Sequence, residues 1–135
     1  MKKIVFLSVM LLMVALSGFS QFALNAPVIA SPLDKVLDYA KGFPHNIDNT
    51  DGLLFITIQD GTLNLAYSFN GGNFCTGMMY SSKKYSDIAS VVEWLNNGYW
   101  KKVDNNKWAV YINEIGYTQA VLSHINNVWI ILIGS

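Results

Sequence analysis

The second half of this chain echoes its first. Val36-Leu37-Asp38-Tyr39 falls on Val91-Val92-Glu93-Trp94 at a shift of about 55 residues. Gly42-Phe43 followed by Ile47-Asp48-Asn49 falls on Gly98-Tyr99 followed by Val103-Asp104-Asn105, and later Gly61 meets Gly116, Ser68 meets Ser123 and Phe74 meets Trp129. An echo of this period means one supersecondary unit used twice. A helix with three strands has a single face to bury and is too small to stand alone. Two such units can share one antiparallel sheet with both helices over the same face.

The local signals fill in that unit. Ser31-Pro32-Leu33-Asp34 reads as a helix start, with a capping hydroxyl, a proline suited to the first turn and a carboxylate at the positive helix end. Leu33, Val36, Leu37 and Ala40 recur at helical spacing and Gly42 offers a left-handed stop, which predicts a helix over 32–41. Phe43 to Asp51 is polar and turn-prone, and is expected to be a loop. Leu53 to Gln59 and Thr62 to Phe69 read as strands joined by an Asp60-Gly61 hairpin, and Asn73 to Tyr80 as a third strand after the Asn70-Gly71-Gly72 turn. Ser82 to Asn97 carries Tyr85, Ile88, Val91, Val92 and Leu95 on one helical face, with Gly98 as stop. Tyr99 to Val103 suits a short strand. Trp108 to Glu114, Tyr117 to Ile125 and Val128 to Ile133 complete the second meander.

The expected fold is therefore α+β: an antiparallel sheet of about six strands with two helices on one face, as a tandem α-β-β-β duplication. Val128 to Ile133 is apolar on both sides, which fits a central strand or burial of both faces, or at an edge a surface for pairing with a second chain.

The first thirty residues have a different character. Lys2 and Lys3 precede an apolar run from Ile4 to Leu16, of signal-peptide length and too short to span a bilayer, and Gly18, Ser20, Gln21 and Asn25 end it. Candidate cleavage points follow Ser20, Ala26 and Ala30. Leu16-Ser17-Gly18-Phe19 matches a lipoprotein box except that Phe19 has no thiol to acylate. Residues 1–30 are expected to be a bacterial-type signal peptide, which leaves no membrane span after removal and directs the product to the periplasm or the medium. Residues 31–135 are then one domain, with repeat halves 31–81 and 82–135.

The nine basic and nine acidic side chains balance, and losing Lys2 and Lys3 leaves the remainder slightly acidic, so nucleic acid is not the expected partner. Cys75 is the only cysteine and no internal disulfide can form; it reads as a small buried hydrophobe.

No residue constellation carries chemistry well. Cys75, His124 and Asn126 follow the order of a cysteine-hydrolase site, but such a thiol is normally activated at a helix start and Cys75 sits in a predicted strand. His45 with Asp48 and Asp51 fails the calcium-loop pattern, because Ile47 and Ile58 occupy the positions that need carboxylates. Asp48 and Asp51 suit turn formation instead. Asn70-Gly71-Gly72-Asn73 lacks the lysine and following helix of a phosphate cradle. Asp87, Glu93 and Glu114 stand singly and are expected at the solvated surface. No catalytic residue, metal or cofactor is predicted.

What remains is an aromatic cluster: Tyr99, Trp100, Trp108, Tyr111 and Tyr117, beside Lys101 and Lys102. Such residues suit recognition of another protein, although strand periodicity sends Trp108 and Tyr111 to opposite faces.

The helix, Gly-aromatic turn, Asp-Asn loop and meander, in Val36 to Phe43 with Asp48 to Phe69 and again in Val91 to Tyr99 with Asp104 to Leu122, resemble the α-β-β-β units of type III secretion chaperones and YbjN-like domains. The resemblance implies a dimeric, non-enzymatic binder of polypeptide. The expectation is thus an exported protein-binding module (an inhibitor, an immunity-type protein or a chaperone-like adaptor) that engages a protein partner or itself. The alternatives are a self-assembling envelope component and a Cys/His hydrolase.

Overall fold

The computed structural model of the protein describes residues 26–135. The element order is α1 (Leu33–Ala40), β1 (His45–Thr50), β2 (Leu53–Asp60), β3 (Leu63–Phe69), β4 (Gly77–Ser82), α2 (Tyr85–Asn97), β5 (Lys101–Asp104), β6 (Lys107–Ile112), β7 (Gly116–Ile125) and β8 (Val128–Gly134). Each half thus runs helix and four strands. All strands join one antiparallel eight-stranded sheet in the order β1-β2-β3-β4-β8-β7-β6-β5.

The six-stranded sheet of two α-β-β-β units is corrected by this order: the sheet has eight strands and the unit is α-β-β-β-β. The missed strand in the first half is β1, inside the stretch predicted to be a loop. Its six residues, His-Asn-Ile-Asp-Asn-Thr, are all exposed, so no burial of alternate side chains marks it in the sequence. A full main-chain register to β2, from His45↔Ile58 to Thr50↔Leu53, holds it. Asp51 and Gly52, at φ 53° and 79°, form the two-residue turn between them, the positive-φ geometry that Asp-Gly favours. The counterpart in the second half is β5, equally exposed.

Other boundaries move for identifiable reasons. The turn after β2 is Gly61-Thr62 rather than Asp60-Gly61, since Asp60 pairs with Leu63. The Ser31 cap of α1 does not form: Pro32 is the cap residue and makes no side-chain hydrogen bond. Ser31 is instead buried, and its carbonyl accepts the Cys75 N–H at 2.9 Å. Gly42 is not left-handed; its N–H bonds to the Tyr39 carbonyl at 3.2 Å and closes the helix with a tight turn. Asn73 to Cys75 lie outside β4 because they pair with the chain before α1, through Ala30 N–H to the Cys75 carbonyl at 2.9 Å and Leu33 N–H to the Asn73 carbonyl at 2.9 Å.

The expected leader, residues 1–30, falls mostly outside the described residues. Its last part does not: Ala26 and Ile29 are buried in the core cluster, and the Pro27 carbonyl accepts the buried Tyr67 hydroxyl at 2.7 Å. Among the described residues no helix is long and apolar enough to cross a membrane.

Cross-strand pairing sorts the side chains into two faces. Ile56, Tyr67, Met78, Ile133, Ala120 and Trp108 form one row from strand to strand, and Ile58, Leu65, Tyr80, Ile131 and Leu122 the next. All are buried. Val36 and Ala40 of α1 and Ile88, Val91 and Leu95 of α2 close over this face in one continuous core. Val128 to Ile133 lies in the middle of the sheet, between β4 and β7.

Candidate binding site

The residues opposite this core decide what the protein can touch. Among the described residues no helix covers them. One row runs Thr57, Ala66, Met79, Leu132, Val121 and Lys107. The row beside it runs Phe55, Ser68, Gly77, Gly134, Gln119 and Ala109. The first is a ridge of medium apolar side chains. The second is a trough, because its two central residues, Gly77 and Gly134, have no side chain and face each other directly. Ser68 Oγ leans over Gly77 where a Cβ would stand, so any larger residue there would have to turn that hydroxyl aside.

Leu132 is 57% exposed although β8 is a central strand. Met79, Ile130 and Val121 around it are only half-buried. Ala66, Met79 and Ser81 also line one side of a hollow of about 550 Å³ that extends over Thr57, Gln59 and Asn64. An aliphatic band across the middle of a sheet normally faces a second layer, and here it faces outward.

The five predicted aromatic residues do not form one cluster. Tyr111 and Tyr117 stand directly opposite each other on β6 and β7, 70% and 58% exposed. They lie on the uncovered face, two positions along their strands from Ala109 and Gln119. Tyr99, before β5, is 96% exposed and packs on nothing. Trp100 and Trp108 are core residues. Trp108, 1% exposed, donates its indole N–H to Asn96 Oδ1 at 2.8 Å, and the Lys102 ammonium sits 5.8 Å from its ring. Trp100 packs edge-on against Trp94 at 6.2 Å. They are kept off the uncovered face by the alternation of β6 and by the return of the chain under α2. Met79, Val121, Ile130 and Leu132 are the residues that sequence reasoning missed. The signal was present in Val128 to Ile133, whose apolar residues occupy both faces, but two-sided apolarity was read as strand position rather than as an uncovered surface.

The cysteine-hydrolase arrangement is not assembled. Cys75 is fully buried and its thiol donates to the Gly77 carbonyl at 2.9 Å; burial pushes its pKa up, away from the thiolate. His124 stacks on Trp129 at 3.9 Å, with Tyr85 edge-on to the same indole at 4.8 Å. Gly77 pairs with Gly134 at one end of β8, whereas Trp129 and His124 pair near the other, a span of roughly 16 Å at strand rise. His45 and Asp48 point to opposite faces of β1 and cannot share an ion. His45 Nδ1 hydrogen-bonds to the Phe43 carbonyl at 2.8 Å, and Asp48 accepts the Thr50 hydroxyl at 2.8 Å. Among the described residues no group of three potential ligands is close enough to hold a metal.

Asp87 corrects a further expectation. It is buried rather than solvated, and its Oδ2 accepts the Thr62 hydroxyl at 2.6 Å and the Ser82 hydroxyl at 2.7 Å. Asp60 is buried as well and accepts the Tyr39 hydroxyl at 2.5 Å. Both carboxylates flank the β2–β3 turn from the helix side and hold elements together there.

No protein-family model, no curated protein and no solved structure matches this chain.

Proposed function

We propose that the protein is a non-enzymatic binding module that takes a polypeptide on the uncovered face of its sheet. The observation that carries this reading is Leu132, more than half exposed at the centre of an eight-stranded sheet. Keeping such a band wet forgoes the stabilisation a second layer would give, about 25 cal/mol per Å² of apolar area, and exposed apolar bands of this kind mark interaction surfaces. The Gly77-Gly134 trough gives a strand or helix of the partner room to lie against main chain, with Met79, Leu132 and Val121 along one side. The exposed Tyr111-Tyr117 pair supplies large, stiff contact area with a polar tip, the composition of interface anchors. An export signal would place the encounter in the bacterial envelope or outside the cell.

The test is site-specific photo-crosslinking in the producing cell. A crosslinker at position 132 or 121 is expected to trap one adduct of discrete mass. The same group at Glu93, on the solvent side of α2, is expected to trap none. Absence of any adduct from positions 132 and 121 would contradict the reading.

A further inference from the structure

The two ends of the sheet are not equivalent. β5 carries Lys101 and Lys102, spans four residues and breaks register between Lys102 and Asp104; charge, shortness and a bulge are the devices that blunt an edge strand against pairing. β1 has only one of them, the single charge of Asp48. It is six residues long, pairs with β2 without a break and holds no lysine and no proline. Ile47 in its middle is half-exposed.

The ladder also fixes which backbone groups of β1 are free. The Gln59 N–H bonds to the Pro44 carbonyl at 2.9 Å, so Pro44↔Gln59 is a hydrogen-bonded pair. By alternation Asn46, Asp48 and Thr50 point their main-chain groups inward to β2. Those of His45, Ile47 and Asn49 point outward, with no strand among the described residues to receive them.

We infer that β1 pairs antiparallel with β1 of a second copy of this chain, centred on Ile47 opposite Ile47. In that register His45 faces Asn49 and Ile47 faces Ile47, all outward-pointing residues, so the free N–H and C=O groups meet in hydrogen-bonded pairs. Asn46 then faces Asp48 of the second copy at the closer non-hydrogen-bonded positions, and an amide donor meets a carboxylate on either side of the dyad. A shift of two residues one way sets Asp48 against Asp48, a destabilising like-charge pair. A shift the other way carries the ladder past Pro44 into the α1–β1 turn. Odd shifts turn inward-pointing groups toward outward-pointing ones. The surface is therefore self-complementary in one register, as a two-fold interface requires. The near-balance of charge, zero over the full chain and slightly negative without Lys2 and Lys3, sets up little overall repulsion between copies. Within the chain, β4 and β8 already join the two halves antiparallel in the same way.

Sedimentation of the purified protein over a dilution series tests this, with circular dichroism as the fold control. The wild type is expected to be a dimer that dissociates on dilution. Ile47→Lys, which gives β1 the charge that β5 carries, is expected to be monomeric with an unchanged spectrum. Asn46→Asp, which sets carboxylates face to face, is expected to weaken the dimer roughly tenfold, and Leu132→Lys is expected to leave it intact. A wild type that is monomeric throughout, or an Ile47→Lys variant that stays dimeric, overturns the inference. Dissociation caused by Leu132→Lys instead would also overturn it and would assign self-association to the uncovered face. Because the edge and the face are probed by different variants, failure here leaves the reading of the uncovered face standing or falling on its own test.

Discussion

Asp87 at the start of α2 accepts the hydroxyl of Thr62 at 2.6 Å, across 25 residues of chain. The same oxygen takes the Ser82 hydroxyl, and Ser82 Oγ in turn accepts the Lys84 N–H at 3.1 Å. A side chain from the second half of the chain therefore ties down the β2–β3 turn of the first half. It does so at the helix end where a negative charge is favoured.

Replacing Asp87 by alanine leaves the buried Ser82 hydroxyl, and the Thr62 hydroxyl at the turn, without their acceptor. The expected loss of unfolding free energy is about 3 kcal/mol, while Asp87→Asn, which keeps one carbonyl acceptor, is expected to lose about half as much. Urea denaturation of the two variants checks the ordering. Equal losses, or none, would mean that the carboxylate is solvated in the working protein.

Two buried tyrosines make the fold sensitive to alkali. Burial raises the pKa of Tyr67 and of Tyr80 well above the ordinary tyrosine value of 10.0, so the folded state keeps protons that the unfolded chain releases. With the folded pKa raised, the stabilisation is complete below the unfolded value and is lost as pH rises through it toward the folded one. Cys75 and Tyr39, whose pKa values are also raised, add to the effect, so stability is expected to hold to about pH 8.5 and then fall, each fully buried group contributing about 1.4 kcal/mol per pH unit once its unfolded counterpart has ionised. Tyr80→Phe, which cannot ionise, should flatten the slope by about a quarter in thermal denaturation at pH 10 to 11. An unchanged slope would assign the alkaline loss to other groups.

The packing of Ala26, Pro27 and Ile29 bears on processing. Cleavage after Ala30 would strip two core side chains and the acceptor of the Tyr67 hydroxyl, and cleavage after Ala26 would remove Ala26 itself. If the leader is removed during export, Gln21 is expected as the first residue, and N-terminal sequencing of the exported protein checks it. A mature chain beginning at Ser31 would show that the domain folds without this segment.

What the sequence made legible follows from what each element depends on. The two helices were readable because burial spaces Val36 with Ala40, and Ile88 with Val91 and Leu95, at helical intervals. The inner strands were readable because Leu53 to Phe69 alternates. β1 was not, because an edge strand held by main-chain bonds leaves no hydrophobic period, and Asp51-Gly52 was lost among neighbouring polar residues. Periodicity separates Trp108 from Tyr111, but the sequence does not say which face is covered, and the burial of Trp100, before β5, depends on how the chain returns from α2. Asp87 was misread because a single carboxylate among neutral residues gives no hint of hydroxyls brought to it from Thr62 and Ser82.

The central claim is that the uncovered face is where a polypeptide is held. The most direct measurement is the yield of the discrete adduct trapped from position 121, compared among wild type, a Leu132→Lys variant, a Tyr111→Ala, Tyr117→Ala double variant and the Ile47→Lys variant. Loss of the ridge or of the tyrosine anchors is expected to reduce the adduct by at least about tenfold, and Ile47→Lys to leave it unchanged. An adduct that survives both face variants at full yield, in protein that remains folded, would contradict the account.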